Sequence, residues 1–89
     1  MAPVRKIKKR NGEIVDFSPH KITVAIQKAF AAVLGESREQ DAADITRTVM
    51  KVLDDQFANT AFIPTVESVQ DLVENTIAAH GYFTVSKAY

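Results

Sequence analysis

The sequence predicts a small mixed fold of the α+β class, mainly helical, with a short three-stranded sheet covering one end of a four-helix bundle. An Asn-Gly pair at positions 11–12 separates two short strand-like runs, which is a strong hairpin signal. Later segments repeat apolar residues every three or four positions, the period of a helix. With 89 residues and a mass of 9.8 kDa, the chain has room for a single domain, residues 1–89.

The predicted hairpin pairs residues 4–10 with residues 13–17. Asn11 and Gly12 both tolerate the positive φ angles of a type I′ turn, so the pairing predicts that turn. A two-stranded hairpin is only marginally stable alone in water, so we expect it to lie on the helices. Residues 61–63 form another short strand-like run and are the candidate third strand.

The first two helices carry recognisable start and stop signals. Ser18 can cap the first helix, Pro19 suits its first position, and Gly35 suits a left-handed end. Ser37 and Gln40 have the spacing of a capping box for a second helix, which runs to residue 57.

The third helix is predicted to begin after a cap at Thr65 and to end at His80-Gly81. Residues 82–89 have the pattern of a fourth helix, but about six residues are too few for a helix to be stable alone. We therefore expect this helix to be truncated and loosely packed, with the natural chain continuing past Tyr89. The apolar faces of the first three helices predict the core: Ile22, Ile26, Phe30, Ile45, Val49, Leu53, Val69, Leu72, Val73 and Ile77.

Charge is distributed unevenly although the net charge is zero. Residues 1–28 have a balance of +5, whereas residues 36–74 have a balance of −6. A positive patch beside a negative body suits a small anionic ligand, because the acidic remainder would repel a long nucleic acid.

Catalytic and metal-binding motifs are missing from the sequence. The chain has no cysteine, its two histidines lie 60 positions apart, and no Walker, G-x-G-x-x-G or G-x-S-x-G motif is present. The longest uncharged apolar run, residues 29–34, is far shorter than the ~20 residues that cross a bilayer. We therefore predict no catalytic residue and no metal site.

The basic turn is the candidate binding feature. If the hairpin folds over the first helix, Lys9, Arg10 and Lys21 converge near a helix start, where phosphates commonly bind. The alternative is a solvated strand edge that lysines keep soluble.

Three motifs in order resemble those of the ATP-cone family. The opening stretch, residues 4–17 followed by Lys21-Ile22, resembles the family's Lys-Arg-Asp/Asn-Gly signature with a strand, a Phe and Lys-Ile. Residues 64–74 resemble its third-helix motif, and residues 80–89 its closing motif, cut short.

The resemblance implies a regulatory module that binds ATP or dATP with Mg²⁺ between sheet and helices. Such modules lie chiefly at the N-terminus of ribonucleotide reductase catalytic subunits, where they control overall activity through oligomeric state. It implies a cytoplasmic domain that is not itself catalytic and has no redox cofactor. Its partners would be the rest of that subunit and a second copy or another reductase subunit, with neither a membrane nor a nucleic acid among them.

The resemblance also implies the nucleotide-binding residues. Lys9 and Arg10 are expected near the phosphates, with Lys21 contributing from the first helix. The full implied set is Ile7, Lys9, Arg10, Asn11, Gly12, Val15, Ser18, Lys21, Ile22, Val66 and Gln70. Some members have Glu and Asn where this chain has Val15 and Ser18, so the adenine would be read by backbone groups, Ser18 or Asp16.

Two other functions fit parts of the pattern. The same kind of domain occurs in transcriptional repressors of reductase genes, but there it follows a cysteine-rich zinc ribbon. A basic hairpin could also bind nucleic acid or protein, although residues 1–16 contain none of the aromatic side chains that stack on bases.

Overall fold

The computed structural model describes residues 6–57 and 62–89, and in these ranges two strands precede four helices. The strands are β1 (Lys6–Lys8) and β2 (Ile14–Asp16), and the helices are α1 (Pro19–Leu34), α2 (Glu39–Phe57), α3 (Val66–Ala79) and α4 (Phe83–Ala88). The mainly helical α+β class is confirmed. Within these ranges no helix combines the length and apolar character that a membrane crossing requires.

The hairpin is confirmed, but its turn is not of type I′. Among the described non-glycine residues only Arg38 has a positive φ, so Asn11 is not left-handed, whereas Gly12 has φ 87°. The Gly12 N–H donates to the Lys9 carbonyl (2.9 Å) and the Lys9 N–H donates to the Glu13 carbonyl (2.8 Å). This pattern belongs to a three-residue loop in which a left-handed glycine follows a tight turn. The Asn11 side chain accepts from the Glu13 N–H (2.9 Å), which fixes the turn further.

The predicted third strand is wrong for the described residues. β1 and β2 form a two-stranded antiparallel sheet in which Ile7 faces Val15. Beyond it, Lys8 makes a single isolated parallel bridge with Thr65, and the Lys8 N–H donates to the Pro64 carbonyl (3.0 Å). Pro64 has no N–H to extend a ladder, and the chain turns into α3 directly after Thr65. Of the predicted strand, residue 61 lies outside the described residues, as do residues 4 and 5 of the first strand.

Helix ends follow the sequence signals in part. Gly35 ends α1 in the left-handed conformation, and Thr65 forms a reciprocal capping box with Ser68 at the start of α3. The predicted capping box of α2 is not formed. The carbonyl of Arg38 accepts the first helical bond from Ala42 (3.0 Å), while the Gln40 side chain donates to Asp44 (3.1 Å).

The core lies between the helices and largely matches the prediction. All the predicted core residues are buried except Leu72, which is only partly buried against the cluster. The structure adds four buried apolar residues to the cluster: Ile7, Ala29, Ala42 and Val85.

The fourth helix packs more closely than expected for its six residues. Val85 is 1% exposed, and the Tyr82 ring meets the Phe30 ring edge-on with centroids 4.9 Å apart. The Tyr82 hydroxyl donates to Asp41 at the start of α2 (3.1 Å). The prediction of loose packing is therefore wrong at Tyr82 and Val85, whereas the neighbouring Phe83 is largely exposed. Tertiary contacts replace the stability that so short a helix lacks by itself.

We expect two substitutions in α3 to separate core from periphery. Ile77→Ala removes a fully buried side chain and should cost about 2–5 kcal/mol of unfolding free energy. Leu72→Ala, on the partly buried flank of the same helix, should cost clearly less. Denaturant melts of the two variants check the order, and equal losses would show that Leu72 belongs to the core.

Candidate functional site

The basic turn lies over the beginning of α3 because β1 is held there from two sides. The Ile7 side chain is buried in the helical core, and the Lys8 N–H donates to the Pro64 carbonyl. The next two residues, Lys9 and Arg10, therefore lie beside the first turn of α3. The hairpin and the start of α3 thus form one surface.

Two adjoining cavities open along this surface. The turn cleft, about 410 Å³, lies between the hairpin turn and α3 and is lined by Lys9, Arg10, Asn11, Val66 and Gln70. The helix cleft, about 500 Å³, lies between the strands and the start of α1 and is lined by Ile7, Lys9, Val15, Asp16, Phe17, Ser18, Lys21 and Val66. Both clefts include Lys9 and Val66, so an elongated ligand could span the two.

The predicted site residues gather here with two exceptions. Gly12 shapes the turn without lining either cleft, and Ile22 is buried at 5% exposure in the core below. Asp16, which is expected to read the adenine, also lines the helix cleft. Phe17 lines it too and was not predicted. Its place between β2 and the Ser18-Pro19 helix start could have indicated this, since the cleft forms where the strand passes into the helix.

The cations of the clefts differ in their partners. Lys9 and Lys21 are exposed, and neither makes an ion pair within the described part of the chain. Arg10, in contrast, donates from Nε to the Glu67 carboxylate. With no ion pair to another described residue, the two lysine ammonium groups remain available to a phosphate, whereas Arg10 Nε already contacts Glu67.

The two carboxylates of this surface are held ionised by their neighbours. A hydrogen bond from Lys6 holds the pKa of Asp16 below its usual value, helped by the charges of Lys6 and Lys21. The pKa of Glu67 is lowered first by a bond from its own backbone N–H and then by Arg10. Both groups therefore stay negatively charged at neutral pH.

The start of α1 lacks the anionic groups found at the other long helices. Its first turn contains no acidic residue, and the Ser18 side chain makes no capping bond. The first turns of α2 and α3 contain Glu39 with Asp41, and Glu67, respectively. A helix start with a neighbouring lysine and no acid favours an external anion.

Another cavity, of about 610 Å³, lies between α1 and α2. Its rim mixes both signs of charge: Arg47, Lys51, Asp54 and Asp55. Over residues 6–57 and 62–89 no group of three or more His, Cys, Asp or Glu side chains could hold a metal ion. The clefts of the hairpin surface are lined by three cations and one acid, whereas the rim of the cavity between α1 and α2 has two of each. The hairpin surface is therefore the stronger candidate for binding a polyanion.

Comparison with known proteins identifies the family. The family model "ATP cone domain" matches residues 5–89, so the chain belongs to the ATP-cone family. It is 30% identical, over 91% of its length, to the ribonucleoside-diphosphate reductase subunit alpha of Chlamydia pneumoniae, and 26% identical over 91% to the subunit alpha of Chlamydia trachomatis. It is also 34% identical, over 83% of its length, to the vitamin B12-dependent ribonucleoside-diphosphate reductase of Thermoplasma acidophilum. The chain spans only 8–9% of the length of these relatives.

Acid should weaken the hairpin through Asp16. Because its pKa is lowered in the folded state, the stability it contributes is present above about pH 4 and is lost as the pH falls through the lowered pKa. We expect Asp16→Asn to lower the melting temperature at pH 6, and we expect the difference from the wild type to close as the pH falls below the lowered pKa of Asp16. Thermal melts across this range check it. In a Lys6→Gln background, Asp16→Asn should lower the melting temperature at pH 6 by much less than it does in the wild type. An equal loss in both backgrounds would show that the ion pair between Lys6 and Asp16 is not responsible.

Proposed function

We propose that this chain binds ATP or dATP, as the Mg²⁺ complex, across the turn cleft and the helix cleft. The observation that carries the proposal is the meeting of Lys9, Arg10 and Lys21 around two adjoining clefts in a member of the ATP-cone family. Three cations from two separate segments suit a compact polyphosphate better than they suit an anion with a single charge.

The phosphates are assigned to the three cations that line the two clefts. Lys9 lines both cavities, so it can contact a chain of phosphates at its middle. Arg10 lies at the turn end, and Lys21 lies at the start of α1, where backbone N–H groups add to the positive potential. Charge-assisted hydrogen bonds of this kind contribute about 1.5–3 kcal/mol each when well formed.

The adenine is assigned to the helix cleft. Ile7 and Val15 face each other across the two strands, and Phe17 lies further along the same wall, so the cleft has an apolar side. Ser18 and Asp16 supply the polar groups within reach of a base edge, since the Ser18 hydroxyl makes no capping bond. Asp16 can accept from the adenine amino group but would repel the carbonyl oxygen of guanine.

We further propose that the chain is the regulatory part of a ribonucleotide reductase catalytic subunit. The relatives it matches are reductases, of which it corresponds to about a twelfth. Nucleotide bound beside the hairpin would change how the domain meets the rest of that subunit, a second copy or another reductase subunit. Overall activity and oligomeric state would follow the ATP-to-dATP ratio.

Titration calorimetry with ATP, dATP and GTP tests the binding proposal. Lys9→Ala and Lys21→Ala should each weaken ATP binding about tenfold or more, the equivalent of one lost charge-assisted bond. GTP should bind more weakly than ATP.

Lys51→Ala is the matched control, because Lys51 lines the cavity between α1 and α2 and not the clefts. Lys28 is less suitable, since it lines a cavity that shares Gln70 with the turn cleft. Equal losses from Lys9→Ala and Lys51→Ala would mean diffuse electrostatic attraction, and no heat with any nucleotide would contradict the proposal.

A further inference from the structure

The ion pair between Arg10, which lines the turn cleft, and Glu67 joins the hairpin turn to the first turn of α3. Arg10 Nε donates to Glu67 Oε1 although the residues are 57 positions apart. Both side chains remain accessible, with 83% of Arg10 and 44% of Glu67 exposed. An exposed pair of this kind is weak and can exchange partners.

Glu67 already occupies the kind of place that a phosphate prefers. It lies in the first turn of α3, and its carboxylate accepts a hydrogen bond from the Arg10 guanidinium. A helix start and an arginine are the two features that commonly bind phosphate oxygens. The chain therefore supplies its own anion beside the turn cleft.

We propose that Glu67 competes with a bound nucleotide for the Arg10 guanidinium and thereby lowers the nucleotide affinity. The inference rests on the proposed nucleotide binding and adds a determinant of affinity outside the predicted site residues. Lys9 and Lys21 make no ion pair among the described residues. Arg10 is thus the cleft cation for which a nucleotide competes with a carboxylate of the chain.

The competition differs from simple repulsion in its dependence on Arg10. A carboxylate that only repelled phosphates through space would act whether or not Arg10 were present. A carboxylate that competes for Arg10 loses most of its effect once the guanidinium is removed. A double-mutant cycle separates the two.

Calorimetry of ATP binding to the wild type, Glu67→Gln, Arg10→Ala and the double variant provides the test. Glu67→Gln should tighten ATP binding about two- to fivefold, which corresponds to the loss of one exposed competing pair. In the Arg10→Ala background the same change should alter the affinity less than about 1.5-fold. Thermal melts establish that each variant is folded.

Glu13→Gln is the matched control. Glu13 is an exposed acid next to the same basic turn, and it makes no ion pair among the described residues. A gain for Glu67→Gln equal to that for Glu13→Gln, or one that persists without Arg10, would overturn the inference in favour of long-range repulsion. Weaker binding by Glu67→Gln would also overturn it, because Glu67 would then position Arg10 for the ligand. If ATP fails to bind the wild type and every variant, the proposed function itself fails, and the inference fails with it.

Discussion

The attachment of β1 to the helical body is the constraint on which the rest of the site depends. A three-residue strand paired with one other strand has little stability of its own. It is held because the Ile7 side chain enters the core and the Lys8 N–H bonds to the Pro64 carbonyl. Pro64 directly precedes the capping residue of α3, so the same contact fixes the turn relative to the start of that helix. Without it, Lys9 and Arg10 would be mobile charges on a loop.

The helix starts divide the surface into neutralised and open positive ends. α2 and α3 begin with acidic residues of their own, which satisfy the positive ends of their dipoles. α1 begins with Pro19 and carries Lys21 in its first turn, with no acid. The excess of positive charge in the N-terminal part of the sequence is therefore concentrated at the helix cleft, which is lined both by Lys21 at the start of α1 and by Lys9 of the hairpin.

Much of this arrangement could be predicted from the sequence because its signals are local. Gly35, Pro19 and Thr65 mark helix ends through their own backbone or side-chain chemistry, and helical periodicity identified nine of the thirteen buried apolar residues of the described ranges. The errors arose where tertiary contacts decide the outcome. The six-residue α4 packs because Val85 and Tyr82 find buried partners, which no local rule for a short helix anticipates. The turn at Asn11-Gly12 is a three-residue loop because the strands pair Lys8 with Ile14 and the Lys9 N–H donates to the Glu13 carbonyl, so residues 10–12 connect Lys9 with Glu13.

The site residues were predicted through a resemblance to a family, and the structure adds the side-chain contacts and the burial that the sequence does not specify. The sequence placed Lys9, Arg10 and Lys21 near one another only if the hairpin folds back, and the geometry of the clefts supports that condition. The sequence could not reveal that Arg10 contacts Glu67, because 57 positions separate them and no periodicity connects a turn with a helix start. Ile22 was predicted both as a core residue from the helical periodicity and as a site residue from the resemblance, and the structure buries it in the core beneath the cleft.

The most direct test of the central claim is an NMR titration of the isotopically labelled chain with ATP, followed residue by residue. The account predicts that the largest changes in amide chemical shift lie in residues 9–12, 16–21 and 66–70, with the cavity between α1 and α2 little affected. Changes centred on Arg47, Lys51 and their neighbours, or spread evenly over the surface, would contradict it.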